Sequence, residues 1–114
     1  MFAFAGDGWN CPGLIKACKN ADVAFVEAMS KENMGYAPWA KGDVEKVEYI
    51  THSYHMWPEE LALLQKQSGL KSLVLIHEQN YAPAGKYSRL GLLDECKRAG
   101  VMEPVFSSVD GDIY

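Results

Sequence analysis

No cluster of Lys and Arg, no Cys-x-x-Cys pair and no apolar run long enough to span a bilayer occurs in this sequence. Phosphate backbones are bound by concentrated positive charge, so a formal net charge of −4 argues against a nucleic-acid surface. Three cysteines, Cys11, Cys18 and Cys96, are an odd number at unrelated spacings, which suggests neither a disulfide framework nor a zinc knuckle and predicts reduced thiols. The amino end lacks the basic start, apolar centre and small-residue cleavage site of a signal peptide. The expectation is a cytoplasmic protein with no membrane association.

What is present is the composition of a folded domain. Apolar residues make up 48% and charged residues 23% of 114 residues, enough for one core and one domain, residues 1–114. Met1 is followed at once by a core-type strand with no lead-in, which predicts half of a larger unit.

Strands and helices alternate along the chain, the pattern of an α/β layer. Strands are expected at Phe2 to Ala5, Val23 to Val26, Val47 to Thr51 and Leu70 to Ile76. Helices are expected from Pro12 to Lys19, from Pro58 to Gln67 with Gly69 closing it, and from Tyr87 to Ala99 before Gly100. Leu61, Leu63 and Leu64 supply the apolar face of the second helix. Ser30 to Lys46 carries Gly35, Pro38 and Gly42 and reads as an irregular, packed excursion, with a substrate-facing flap as the alternative. Tyr81 to Gly85 reads as a turn, and Val105 to Tyr114, with Asp110-Gly111, as a terminal hairpin.

Two apolar runs stop at residues able to bind a metal: Phe2-Ala-Phe-Ala-Gly-Asp7 and Leu73-Val-Leu-Ile-His77. In parallel sheets such residues collect at the carboxyl edge, where sites form. Glu27 follows a third such run and is costly there unless paired. His55, in the polar-aromatic loop Thr51 to Trp57, offers the pairing, since a carboxylate that orients an imidazole suits it to proton transfer. Each residue also has a plainer reading: Asp7 as a turn former or helix cap, His77 as a hydrogen-bonded strand end, His52 or His55 as a solvated loop residue.

The order of these features resembles the carboxyl-terminal half of the metallo-β-lactamase superfamily. That pattern has a Gly-Asp turn after a strand, a strand ending in Glu-Ala, a His shortly before a helix, and a strand ending in His. Here they are Ala5-Gly-Asp7, Val26-Glu-Ala28, His55 and Leu73-Val-Leu-Ile-His77. The likeness is closest to the ribonuclease Z-like branch, although Val26-Glu-Ala-Met29 and His55-Met-Trp57 lack the His, Ser and Thr of its two relay segments.

The resemblance implies half of an αββα sandwich, one mixed sheet with helices on one face. It implies a hydrolase acting on a phosphodiester, ester or lactam-like bond, with Asp7 and His77 as metal ligands, Glu27 and His55 as the catalytic proton relay, and two zinc or manganese ions in the intact protein. The superfamily's principal metal motif, His-x-His-x-Asp-His, is absent from this sequence. The segment alone is therefore expected to bind catalytic metal weakly and to have little activity. Its second sheet face, fed by Phe2, Phe4, Phe25 and Leu75, is expected to meet a missing amino-terminal half or a second copy in a homodimer. The alternative is a non-catalytic α/β module for binding or dimerisation.

Overall fold

The computed structural model describes residues 1–6, 8–33, 41, 43–79 and 88–108. The described chain runs β1 (Phe2–Phe4), α1 (Pro12–Cys18), β2 (Val23–Met29), α2 (Val44–Tyr54), α3 (Pro58–Ser68), β3 (Leu73–Gln79), α4 (Ser88–Arg98) and β4 (Val105–Ser107). It is an α/β fold whose strands lie in the order β1-β2-β3-β4, every neighbouring pair parallel. The mixed sheet that the resemblance implies is not what the described strands form, and a terminal hairpin was expected within Val105 to Tyr114. Of that hairpin, Val105–Ser107 pairs parallel with β3, and residues 109–114 lie outside the described residues.

Parallel neighbours need crossovers, and when every crossover steps one strand in the same direction with the same hand, its helices fall on one face. α1 packs on α3 and α3 on α4, forming that single layer. Ala3, Ala24, Val26, Ala28, Leu73 and Leu75 point into it and meet Cys18, Leu61, Leu64, Leu92 and Cys96. Side chains one residue out of phase point the other way. Phe2 and Phe4 are 76% and 77% exposed there, and Phe4 stacks on Phe25 with ring centroids 5.8 Å apart. Leu75 does not join this face, contrary to expectation. It pairs with Val26 and is fully buried under the helices, while Val74, the preceding residue in the alternation, takes the opposite face and is itself buried.

Local chemistry explains the helix ends. Pro12 and Pro58 open α1 and α3, where a missing N–H costs nothing, and Gly69 closes α3 at φ 70°, a conformation that only glycine adopts cheaply. Leu61 and Leu64 are buried, whereas Leu63 is turned outward. Gln65, also buried, holds α3 to the chain before β4: its amide donates to the Met102 carbonyl at 2.8 Å and accepts the Met102 N–H at 2.7 Å.

The expected strand from Val47 to Thr51 is instead part of helix α2. Its β-branched and aromatic residues suggest a strand, but Asp43 Oδ1 accepts the Lys46 N–H at 3.0 Å and caps a helical first turn. The irregular excursion thus ends before Lys46, and residues 34–40 and 42 lie outside the described residues, as do Tyr87 and the Tyr81 to Gly85 turn. No helix among the described residues is long and apolar enough to cross a membrane.

Candidate functional site

The carboxyl edge of the sheet is organised around Glu27. Its carboxylate is completely buried near the end of β2, and both of its oxygens are engaged. Oε1 accepts the Met56 N–H at 2.8 Å, and Oε2 lies 3.1 Å from His55 Nδ1. Met29 N–H in turn donates to the Met56 carbonyl at 2.9 Å, so residues 55–57 are laid across the strand end as a roof. The apolar β2 run continues to Met29 because this roof, rather than solvent, receives its last residues.

Opposite an ionised carboxylate, which only accepts hydrogen bonds, the imidazole carries its proton on Nδ1. The His55 side chain is 12% accessible, enough to be reached and too little to be freely solvated. Neither Glu27 nor His55 therefore has the environment of a surface residue.

His77 comes to the same edge from β3, with its ring centroid 6.1 Å from that of His55 in an edge-on arrangement. It is not the strand's end: β3 runs on to Gln79, and the register steps from Glu27↔Ile76 to Met29↔Gln79. Ala28 is thus opposite two residues, His77 and Glu78, which is a β-bulge. His77 occupies the left-handed region at φ 45°, a conformation costly for a residue with a Cβ. Strain of this kind persists where surrounding structure enforces it, and bulges beside sites serve to re-aim a side chain.

Asp7, the other expected metal ligand, lies outside the described residues, as does the side chain of His52. Among the described residues, no group of three or more His, Cys, Asp or Glu is arranged to hold a metal ion. A catalytic zinc takes three protein ligands plus water, so the described residues do not fit such an ion unaided.

Two further features of the edge are not evident from sequence patterns. The first is a bracket around the roof: Lys31 Nζ sits 4.7 Å from the Trp57 ring centroid and 3.6 Å from a Glu59 carboxylate oxygen. Lys31 belongs to a segment that buried Glu95 of α4 fixes, accepting from Ser30 Oγ at 2.6 Å, Lys31 N–H at 2.7 Å and Glu32 N–H at 3.2 Å. The second is a cleft of about 360 Å³ whose lining, among the described residues, is Ala5, Gly6, Gly8, Trp9, Cys11 and Leu14 with Ser53 and Tyr54 of α2. Tyr54 directly precedes His55 in the chain.

No protein-family model matches the chain, and no curated protein matches it either.

Proposed function

We propose that this chain carries the proton-relay half of a metal-dependent hydrolytic centre of the metallo-β-lactamase type, in its ribonuclease Z-like form. The observation that supports it most is the Glu27–His55 pair: a fully buried carboxylate held by a backbone N–H and aligned on an imidazole nitrogen. Burying a carboxylate is unfavourable unless its partners are fixed, and orienting one imidazole is a use that repays the cost. His55 acts as general acid, delivering a proton from Nε2 to the leaving oxygen while water supplies the hydroxyl taken up by the cleaved centre, and the proton left from that water restores the imidazolium. Glu27 keeps the ring in the required tautomer and stabilises its charged form.

His77 and Asp7 are this chain's contribution to zinc or manganese binding, and the remaining ligands come from a His-x-His-x-Asp-His segment that this sequence does not contain. The sheet face opposite the helices is the surface on which that second half, or a second copy of this chain, packs. Phe2 and Phe4 at the β1 edge and Phe106 at the β4 edge are exposed there, and exposed large apolar side chains on one sheet face are a mark of a surface that becomes covered. The substrate is a small molecule or a phosphodiester, and three unbridged cysteines are consistent with the reducing cytoplasm.

The test is metal content and hydrolysis of bis(4-nitrophenyl) phosphate by the chain supplied with a segment bearing the missing motif. Bound zinc that falls on Asp7→Ala or His77→Ala, and turnover lost in His55→Ala with metal retained, is the expected result. Metal content indifferent to both ligand substitutions would refute the proposal.

A further inference from the structure

Apart from the relay and independently of it, we infer that the outward face of α3 is an interface between two copies of this chain, laid antiparallel across a twofold axis between Ala62 and Leu63. α3 gives Leu61, Leu64, Gln65 and Ser68 to the core. Glu59, Ala62, Leu63 and Lys66 are left along one outer stripe, at the i, i+3, i+4, i+7 spacing of neighbours on a helix surface. With Ala99, Gly100 and Met102 they line a groove of about 280 Å³ between α3 and the end of α4. Leu63 and Met102 are 46% and 53% exposed beside it, and a Cβ built on Gly100 would meet no atom within 4 Å. The groove is therefore open, and apolar between its two charged ends.

The charges name the occupant. The acid stands at one end of the stripe and the base at the other, seven residues or about 10 Å apart, with one small and one large apolar residue between them. Such an order is complementary to its own reverse. Laid antiparallel on a second copy, Glu59 meets Lys66, Lys66 meets Glu59, and each Leu63 lies over the Ala62 of the other chain, where the small side chain leaves room for it. A parallel arrangement would oppose like charges, so the orientation is set as well. Lys66 has no ion-pair partner among the described residues, and the bond of Glu59 to Lys31, 3.6 Å between two exposed groups, is of the weak surface kind that can be shared. One helix of 11 residues with its groove buries less than a standard interface, so association is weak, with a dissociation constant on the order of 100 µM. The surface belongs to the helix layer and leaves the face of Phe2 and Phe4 free.

The experiment is sedimentation equilibrium of the whole chain from about 10 µM to about 1 mM, where a monomer–dimer equilibrium is expected. Leu63→Glu should leave a monomer with unchanged far-ultraviolet circular dichroism. Lys66→Glu and Glu59→Lys, each of which sets like charges across the axis, should each weaken the dimer at least about tenfold. Mixed in equal amounts, these two variants should associate about as well as the unaltered chain, because every contact across the axis then joins opposite charges. That recovery also separates a lost contact from a misfolded variant. Phe4→Ser probes the sheet face and should leave the equilibrium unchanged. A chain that stays monomeric at the highest concentration overturns the inference, as does a dimer indifferent to Leu63→Glu or a charge-reversed pair that fails to associate on mixing. Metal content and turnover do not enter this readout, so the hydrolase proposal stands or falls separately.

Discussion

His55 Nδ1 lies 3.1 Å from Glu27 Oε2, and the other Glu27 oxygen receives the N–H of Met56, the residue after that histidine. One carboxylate therefore fixes both the ring and the backbone that carries it. Glu27→Ala would leave the Met56 N–H and the imidazole N–H without their acceptor in a buried place, a loss on the order of 3 kcal/mol. Urea unfolding should show it. Glu27→Gln retains an acceptor for Met56 but turns an amide N–H toward Nδ1, so the folded variant should carry the opposite His55 tautomer, visible in imidazole nitrogen-15 shifts.

His77 sits at φ 45° in the β3 bulge. Substituting Ala and Gly removes the same imidazole, so the difference between them isolates the backbone. His77→Gly should be more stable than His77→Ala by about 1 kcal/mol, because only the first is at ease in the left-handed region. At an ordinary strand position the order would reverse, and a chemical-denaturation comparison of the two decides it.

Much of this edge was legible in the sequence, and the reasons are specific. Apolar runs interrupted by Asp, Glu or His mark buried strands beneath a polar rim, which is why Glu27, His55 and His77 could be expected to gather; Asp7, expected with them, lies outside the described residues. The helix from Pro58 was legible from its proline, its two glutamates and Gly69. What was hidden depended on contacts between distant segments. The β3 bulge follows from pairing with β2, and no composition signal precedes it. Helix α2 was misread because Val47, Tyr49, Ile50 and Thr51 favour strands locally, while the Asp43 cap outweighs them. Leu75 was given to the wrong face because a continuous apolar run carries no alternation from which to read the phase.

Glu95 shows the same limit for long-range polar contacts. Its carboxylate ties α4 to residues 30–32, more than sixty positions away, and Arg98 one turn later pairs with Glu32. Glu95→Ala should destabilise the fold by about 2–4 kcal/mol by stranding the Ser30 hydroxyl and two backbone N–H groups. It should also release Lys31 from Trp57, detectable as a change in Trp57 indole shift. Arg98→Ala, on an exposed pair, should cost no more than about 1 kcal/mol.

The residue beside Glu95 makes a prediction about pH. Burial, reinforced by the negative charges of Glu95, Glu78 and Glu59, pushes the Cys96 thiol up to about 12, while burial alone raises that of Cys18. A raised thiol pKa means that the folded chain keeps its proton where the unfolded chain, titrating at about 9, has lost it. Stability from this source is complete below pH 9 and declines as pH climbs from 9 toward 12, since ionisation then favours the unfolded chain. Cys96→Ala should flatten that decline even though it opens a small cavity at neutral pH. The same difference governs reactivity: at pH 8 a disulfide reagent should titrate Cys11, which is half-buried, before Cys18 or Cys96, and all three only after denaturation. Rapid modification of Cys96 in the folded chain would mean that α4 does not pack on the sheet as described.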